Sequence, residues 1–541
     1  MSQQCQNCHQ TFIITLDNLE FYKKMTVSPP TLCPHCRQQR RLAWRNERML
    51  YPSTCTLCHR SVITTYAPHG TVLKPQPFII YCQECWWSDR WSAAEYAQPI
   101  DVERPFFEQY AELHARVPRI ALMNTNSINS AYTHYTANNK NCYMIFSNAF
   151  GDNEDCYYGT QLSKSRNCVD TMQIENCELC YDCVDCANSY RLIHGNMCDH
   201  CLDSAFLEDC RNCRNCFMCK GLRNKQFCIL NKQYDQAGYE AELQRWQIDQ
   251  PDGWQKAWQT FNDWRCMIPA VFSYQLNSEQ CTGDYIVRSS QCSECFDTTD
   301  SEQCQYLQFS VKNNKEIYDA SYSGGNELCL ENMGCVSGYH IYGSTTVWWN
   351  IKNLTYCQFC FNTVQDCFGC IGLRNKQYCI LNTQYTPAEY QRLTNIIIEQ
   401  LQQSGQWGRF LPSNLSFYGY NETIAQDYFP LTRQQALDQG FNWNDHLPDA
   451  TRTDNPTAIT CATCKKLFRC TTAELQFYQT MQLPKPDQCF NCRHLARLRL
   501  RRPRQLWQRH CQQCQRQLDT AYSPDRPEMI YCEQCYQRAI Y

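Results

Sequence analysis

Cys177-Glu-Leu-Cys180-Tyr-Asp-Cys183-Val-Asp-Cys186 places a cysteine at every third position in the middle of this 541-residue chain. Residues 210–219 repeat the same spacing. The surrounding sequence is rich in Cys, Asn, Tyr and Phe and lacks helical periodicity, which is typical of short stacked strands rather than of helices. This part of the chain therefore predicts the coils of a β-solenoid.

Longer intervals support the repeat interpretation. Cys156, Cys177, Cys198 and Cys219 follow one another at a constant interval of 21. A looser interval of 22 separates Cys335, Cys357 and Cys379. If each interval is one coil, equivalent cysteines should stack in columns about 4.8 Å apart.

The middle of the chain is itself duplicated. Residues 216–231 recur almost unchanged as residues 367–382, including the string Gly-Leu-Arg-Asn-Lys-Gln. The two copies span roughly 117–235 and 268–386, and each should end in a helix. The second helix is well signalled, because Thr386 is a helix N-cap residue followed by proline at the first helical position.

The two ends of the chain are copies of one module, related by a constant shift that brings Cys5 onto Cys461 and Cys58 onto Cys514. Each copy holds four Cys-x2-Cys knuckles, and two residues between thiolates let one tight turn present both sulfurs to a metal. The predicted zinc ligands are Cys5, Cys8, Cys33, Cys36, Cys55, Cys58, Cys82, Cys85, Cys461, Cys464, Cys489, Cys492, Cys511, Cys514, Cys532 and Cys535. They make about four structural zinc sites, and the spacing leaves open which knuckles pair. A threonine-capped short helix beginning at Thr15, matched at Thr471, should lie between knuckles.

The fold class is predicted to be mainly β, with tandem zinc ribbons at both ends flanking two repeat-built, β-solenoid-like units with short helices. The predicted domains are a zinc-ribbon module at 1–100, β-repeat units with terminal helices at 101–250 and 251–405, a linker at 406–455, and the second zinc-ribbon module at 456–541.

Charge is distributed unevenly along the chain. Lys plus Arg against Asp plus Glu is 10 to 6 in residues 1–100, 15 to 7 in residues 451–541 and 25 to 40 between them, giving +4, +8 and −15. Arginines follow the second knuckle of each module, and the candidate nucleic-acid contacts are Arg37, Arg40, Arg41, Arg45, Arg493, Arg497, Arg499, Arg501, Arg502 and Arg504. They form a phosphate-binding stripe, with Trp44 or Trp507 available to stack on a base, or they compensate the anionic zinc centres.

The 26 cysteines of the middle allow three interpretations. They form a ladder of buried thiols that act as small apolar side chains, they bind zinc between coils, or they hold iron–sulfur clusters. The ferredoxin pattern fits poorly, because the last interval is wrong and its following proline is missing.

The modules at the two ends resemble a small bacterial zinc-ribbon domain, on Cys461-x2-Cys464 with Phe468, Phe477-Tyr478 and Cys489-x2-Cys492-Arg493. More widely, the strings at 33–42, 81–89, 372–378, 420–423 with 428–431, and 530–536 look like uncharacterised cysteine-rich proteins of candidate-phyla-radiation bacteria. The resemblance implies zinc at the end cysteines and brings no activity with it.

The sequence therefore predicts a non-enzymatic zinc-binding protein that binds nucleic acid, RNA or DNA, through its arginine-rich segments. The alternative is a protein-interaction scaffold whose zinc ribbons cap a solenoid, and the third hypothesis is an iron–sulfur redox protein. The N-terminus lacks a basic region followed by an apolar one and no apolar run is long enough for a membrane span, so we expect a cytoplasmic protein without a membrane partner. Oligomeric state is left open.

Overall fold

The structure, a computed structural model, describes residues 1–74, 76–148, 151–310, 313–447 and 458–540. The chain is mainly β and divides into two compact units, each discontinuous in sequence. Unit 1 contains Met1–Leu122 and Tyr274–His446, and unit 2 contains Met123–Ser273 and Leu447–Tyr541. Each unit therefore combines one end module with the β-repeat region that is more distant from it in sequence.

Unit 2 contains the first solenoid, an 11-stranded sheet whose neighbours are consecutive in sequence. Its strands are Asn124–Thr125, His134–Ala137, Tyr143–Asn148, Tyr157–Ser163, Met172–Glu175, Val184–Ala187, Tyr190–Asn196, Leu202–Glu208, Arg214–Lys220, Gln226–Ile229 and Lys232–Gln233. All strand pairs are parallel except the last one. Residues one coil apart are paired in the sheet, as Met172 is with Val184 and Leu207 is with Cys219.

Each coil of the first solenoid consists of four three-residue segments. In each segment one residue is buried in the interior, as at Cys168, and the residue before it has a left-handed backbone, as at Asn167 with φ 48°. Asn and Asp tolerate this conformation better than other non-glycine residues. This preference explains why Asn and Asp recur at the left-handed positions beside the buried cysteines.

The prediction that Cys156 and Cys177 are separated by one coil is wrong. Met172 pairs with Val184, and the Cys177 amide donates to the Ser165 hydroxyl of the preceding coil, a sequence separation of 12. The longer interval in the sequence is therefore one coil plus three further segments. Cys156, Cys177, Cys198 and Cys219 lie in four different columns of the interior. Cysteines in one column are one coil apart, as the pairing of Cys216 with Cys228 shows.

Unit 1 contains the second solenoid, which has the same parallel design. Its strands are Gln275–Leu276, Gly283–Val287, Cys295–Thr299, Ser301–Glu302, Gln305–Gln308, Asn314–Ser321, Glu327–Tyr342, Thr345–Thr355, Gln365–Phe368, Gln377–Ile380 and Thr383–Gln384. Some coils hold one extra residue: Leu354 pairs with Cys367, and Asn353 contacts Asp366 at a sequence separation of 13. These inserted residues are the physical reason for the looser interval in the sequence.

Short hairpins and isolated strand pairs account for the remaining strands. In unit 1 they are Ser2–Gln4, Thr11–Ile13, Tyr51–Thr54, Ser61–Thr64, Ile80–Tyr81 and Arg119–Ile120. In unit 2 they are Ala270–Val271, Ile459–Thr460, Leu467–Phe468, Trp507–His510, Gln517–Thr520 and Ile530–Tyr531.

The helices are short and lie mostly in the end modules or directly after a solenoid. In unit 1 they are Leu16–Lys24, Pro34–Leu42, Gln83–Trp87, Phe106–Arg116, Pro387–Gln403, Ile424–Tyr428 and Arg433–Asp438, with 3₁₀ turns at Ala93–Tyr96, Ser413–Leu415 and Tyr420–Glu422. In unit 2 they are Gln236–Gln244, Pro251–Arg265, Thr472–Met481, Phe490–Leu500 and Glu533–Ile540. The predicted caps at Thr15, Thr386 and Thr471 are confirmed, because each hydroxyl accepts from the backbone N–H three residues later.

Residues 406–446 differ from the linker that the sequence suggests. Their aromatic residues have no helical or strand period, yet Phe417 and Tyr420 are buried in unit 1. The Ser416 hydroxyl donates to the Ala43 carbonyl, and the Tyr418 ring stacks on Tyr66. Aromatic packing against the end module orders this segment. Packing of this kind produces no periodic pattern in the sequence. The predicted linker residues 448–455 lie outside the described part of the chain.

Within the described residues, no helix combines the length and apolar character that crossing a bilayer requires.

Candidate metal centres

Each end module builds two metal-binding sites of one design. The first knuckle lies in the turn of a two-stranded hairpin, and the second knuckle lies at the first turn of a helix. The four sites are site 1 (Cys5, Cys8, Cys33, Cys36), site 2 (Cys55, Cys58, Cys82, Cys85), site 3 (Cys461, Cys464, Cys489, Cys492) and site 4 (Cys511, Cys514, Cys532, Cys535). The structure thus groups each first knuckle with the next one along the chain and places one knuckle pair in each site.

The helices that follow the second knuckles are here named clef helices: Pro34–Leu42, Gln83–Trp87, Phe490–Leu500 and Glu533–Ile540. Each begins directly after the first cysteine of its knuckle, so its N-terminal peptide dipoles face the sulfurs. Each site thus combines one hairpin knuckle, consistent with the predicted zinc ribbons, with a second knuckle at a helix N-terminus.

The sulfur geometry fits a tetrahedral ion. In every site the four Sγ atoms lie within 4.8 Å of one another. The Sγ–Sγ distance between the two knuckles is 3.7 Å for Cys8 and Cys33 and 3.8 Å for Cys58 and Cys82. Sulfurs bound to one tetrahedral ion at about 2.3 Å lie about 3.8 Å apart. The corresponding distances in sites 3 and 4 are both 3.7 Å.

Backbone N–H groups prepare the thiols for deprotonation. The amide of Cys82 donates to Cys55 Sγ over 3.2 Å. Burial raises the pKa of Cys55. Hydrogen bonds from the backbone N–H groups of Cys82, Cys58 and Leu57 have the larger effect, and they lower that pKa from 9.0 to about 6. The pKa values of Cys461 and Cys511 are lowered to about 6 in the same way. In each of these three sites one thiolate, the form that binds a metal, therefore forms near neutral pH, whereas burial raises the pKa of second-knuckle thiols such as Cys82 and Cys489.

In unit 1 the first clef helix is docked on the second solenoid by buried ion pairs. Arg37 Nε lies 2.9 Å from Asp319 Oδ1. Arg41 Nη1 lies 3.3 Å from the same oxygen and 2.9 Å from Glu331 Oε2. Arg40 adds a longer contact of 3.7 Å to Glu331. The carboxylates come from consecutive coils, so Arg41 bridges two coils of the solenoid.

Unit 2 contains the same arrangement with different residues. Arg493 Nη1 lies 2.6 Å from Asp170, and Arg497 Nη1 lies 2.9 Å from Asp170 and 3.4 Å from Asp182. Asp170 and Asp182 are one coil apart, as are Asp319 and Glu331. Burial raises the pKa of Asp182, but His194 and Arg497 outweigh it and hold that pKa at about 2. Two copies of one ionic contact therefore fix two end modules.

Most of the predicted nucleic-acid arginines are withdrawn from solvent. The buried ones are Arg37, Arg41, Arg45, Arg493, Arg497, Arg501 and Arg502. Arg40 and Arg504 are partly buried, whereas Arg499 is exposed. Trp44 is 2 % exposed and makes edge contacts with Phe410 and Phe417, so its ring faces no free surface. The seven buried arginines of the predicted phosphate-binding stripe are thus held in contacts inside each unit and cannot reach a phosphate, whereas Arg499 faces solvent.

The duplicated Gly-Leu-Arg-Asn-Lys-Gln string receives the second clef helix of each module. At Gly221, φ is +74° and a Cβ would lie 2.5 Å from Ile540 Cδ1. At Gly372, φ is +77° and a Cβ would meet Ala93, Val117 and Trp86 at ordinary van der Waals distances. The left-handed backbone at both positions favours glycine. The repeated string therefore marks a docking position, a role that the duplication alone did not reveal.

The solenoid cysteines have a different environment from the tetrads. Cys168 Sγ donates to the Arg166 carbonyl over 3.1 Å, and the same contact to the carbonyl two residues earlier recurs along the ladder. Burial raises the pKa of Cys186 and Cys198 well above 9.0, whereas at Cys367 the effect of burial is outweighed by hydrogen bonds from Cys370 and Cys379, which lower the pKa to about 6. Among the described residues, sites 1–4 are the clusters that could hold an ion. These contacts are those of protonated thiols packed as apolar groups.

Comparisons with known proteins agree with the clef geometry. The family model described as a probable treble clef domain matches residues 1–44. No curated protein matches the chain. A solved structure titled a "putative acetyltransferase" from Desulfovibrio desulfuricans G20 is 9 % identical and aligns over 46 % of this chain with a TM-score of 0.11. The alignment spans 65 % of that protein, less than two thirds of its length, and supports no shared fold or activity.

The four tetrads and the treble-clef match at residues 1–44 together define a metal-binding protein. In particular, it is a cysteine-rich protein in which two end modules, here named clef modules after their clef helices, each accompany a β-solenoid.

Proposed function

We propose that this protein is a non-enzymatic zinc-binding scaffold. The clef modules are structural elements that stabilise the two solenoids, and the exposed faces of the solenoids bind the partners. This is the scaffold hypothesis that the sequence suggested, with one change. The modules do not cap the ends of the solenoids but contact the coils along their sides through the clef helices.

Zinc is the ion that the four sites favour. Four thiolates in a tetrahedral cage suit zinc and leave no open coordination position for a substrate or a water. Binding of zinc to such a site supplies about 10–16 kcal/mol at neutral pH, which acts as folding free energy because the cage forms only in the folded module. Four zinc ions per chain would stabilise modules whose own apolar cores are small.

One observation carries the proposal: the arginines after the second knuckles contact carboxylates of the solenoid. Arg41 and Arg497 are 0 % and 2 % exposed. Removing one partner of a buried ion pair leaves the other charge uncompensated, which costs about 3–5 kcal/mol. The sequence feature that suggested nucleic-acid binding is therefore better explained as docking chemistry.

A matched pair of variants on one clef helix tests the proposal. Arg497 is buried and Arg499 is exposed, and both lie on Phe490–Leu500. We expect Arg497→Met to lower thermal stability and Arg499→Gln to leave stability and affinity for RNA and DNA unchanged. If Arg499→Gln weakens nucleic-acid binding and flattens its salt dependence, the clef modules themselves bind phosphate and the structural role proposed for them is overturned.

A further inference from the structure

An aromatic strip runs from one face of the second solenoid to the clef helix of site 2. We define the aromatic strip as Trp348, Trp349, Phe361 and Trp87. Trp349 is 41 % exposed, Trp348 and Trp87 are half-buried, and Phe361 is buried beneath them. Ring centroids lie 5.4 Å apart for Trp348 and Trp349, 5.5 Å for Trp348 and Phe361, and 5.3 Å for Trp87 and Phe361. Clustered aromatic surface that reaches solvent in this way marks a binding site.

The backbone under the strip is distorted in a way that presents these rings. Trp349 and Asn350 are consecutive left-handed residues with φ 67° and 55°, and the register of the sheet shifts between Val336 and Gly338 beside them. The next coil repeats the feature at Asn362 and Thr363. Single left-handed residues recur in every coil segment, so the distinguishing feature here is the consecutive pair, which accommodates the extra residue of a longer coil.

The strip ends in a cavity of about 390 Å³. This volume lies within the roughly 300–1,000 Å³ of small-molecule sites. Its lining includes Trp87, Trp91, Asn362, Arg374 and Lys376. Two tryptophans, two cations and an amide at one mouth offer stacking, charge and hydrogen bonding together.

Arg374 is held close to two indole rings. Its guanidinium carbon lies 5.9 Å from the Trp87 ring centroid and 5.7 Å from that of Trp91. Two of its nitrogens donate to the carbonyls of Trp87 and Ser88 over 3.1 and 3.4 Å. A guanidinium has five N–H donors, so donors remain for a ligand while the backbone contacts fix its orientation.

Charge along the strip is mixed, with cations beside the rings. Arg374 and Lys376 both line the cavity beside Trp87. Of the nearby carboxylates, Asp366 accepts from Asn353 over 2.8 Å and Asp89 lies on the cavity rim. Positive groups beside aromatic rings are notable in a middle segment whose net charge is −15.

We propose that the aromatic strip and its cavity bind single-stranded nucleic acid, with bases stacked on Trp349 and Trp87 and phosphates at Arg374 and Lys376. Stacking on rings with flanking cations is how single strands are bound without sequence preference. A neutral oligosaccharide would use the rings but leave the cations without a ligand anion. The inference rests on the proposed function only in assigning partner binding to the solenoid faces.

The test measures binding of labelled oligouridylate, labelled oligothymidylate and a neutral oligosaccharide to the full zinc-loaded chain. We expect the nucleic acids to bind, and Trp349→Ala to lower their affinity about 5- to 150-fold. Lys376→Gln should reduce the salt slope by about 0.7. Lys225→Gln is the matched control, because Lys225 is exposed and holds the equivalent place in the first solenoid. Trp349→Phe should restore most of the affinity if Trp349→Ala is unstable.

Two outcomes would overturn the inference. One is that neither nucleic acid binds at micromolar concentration, or that binding is indifferent to both Trp349→Ala and Lys376→Gln. The other is tryptophan-dependent binding of the oligosaccharide alone, which would indicate a carbohydrate partner. Both leave the docking role of the clef modules intact, because that role is tested by Arg497→Met and Arg499→Gln.

Discussion

Arg41 Nη1 contacts Glu331 Oε2 at 2.9 Å, although the two residues are 290 positions apart in the chain. Arg41 is 0 % exposed and Glu331 is 2 % exposed. The contact joins a clef helix beside site 1 to a coil of the second solenoid, so it couples the metal module to the repeat in unit 1.

Breaking this pair should destabilise unit 1. Glu331→Gln removes the carboxylate that faces Arg41 and Arg40, and we expect a loss of about 3–5 kcal/mol in unfolding free energy, measured by urea denaturation with zinc present. The double variant Arg41→Met/Glu331→Leu should recover much of that loss, because the two charges that face each other are then removed together. Additive losses in the double variant would contradict the pairing.

Metal content should depend on the tetrad cysteines alone. We expect about four zinc ions per chain by elemental analysis, and Cys461→Ser should remove one because three sulfurs cannot complete the cage of site 3. Cys470 lies in the same module outside every tetrad. Cys470→Ser is thus the matched control and should keep the full content, and a loss of metal there would place Cys470 in a site.

The solenoid thiols should tolerate a hydroxyl. Ser189 precedes Cys201 by one coil and donates to the Ala187 carbonyl over 2.8 Å, just as Cys201 Sγ donates to the Asp199 carbonyl. Cys201→Ser should therefore change stability by about 1 kcal/mol or less and leave the metal content unchanged. Cys201→Asp should be strongly destabilising. Loss of zinc or iron in Cys201→Ser would show that the middle cysteines bind a metal.

Lys74 should make the stability of unit 1 depend on pH. Burial and the neighbouring Arg119 lower its pKa from 10.5 to about 7. Between these values the unfolded chain binds a proton that the folded chain does not, so stability should rise with pH by up to about 1.4 kcal/mol per pH unit. Below about 7 both states are protonated and this contribution to the slope disappears.

The check compares wild type with Lys74→Met in urea denaturation at several pH values from about 6 to 10, with zinc and a reductant present. Lys74→Met should lack the rise between about pH 7 and 10. Equal slopes in the two proteins would mean that Lys74 stays protonated in the fold.

Local spacing alone predicts the knuckles, whereas the fold decides which two knuckles share a site. A Cys-x2-Cys knuckle constrains both sulfurs through one turn, so Cys5 with Cys8 and Cys33 with Cys36 could be recognised from neighbouring residues. The caps at Thr15 and Thr386 are local in the same way. The mainly β class follows too, because cysteines at every third position match the three-residue segments of a coil.

The coil length could not be read from the cysteines. Every interior column accepts Cys, Leu, Ile or Ser, so Cys177 and Cys198 reveal the three-residue step but not the number of steps in a turn. The pairing of Met172 with Val184 in the sheet decides that number. The longer interval between cysteines reflects which positions of the interior columns hold cysteine. It does not reflect the length of one coil.

The amino-acid sequence by itself determined the metal-binding cysteines, the two duplications and the mainly β class, because each depends on residues close together in the chain or on exact repetition. Only the tertiary structure decided where the arginines lie. Arg41 and Arg497 lie in arginine-rich segments of the kind that bind phosphate. Whether an arginine there faces solvent or a carboxylate depends on residues that are hundreds of positions away in the chain. Asp319, Glu331, Asp170 and Asp182 are ordinary acidic residues until the coils stack them beside a clef helix.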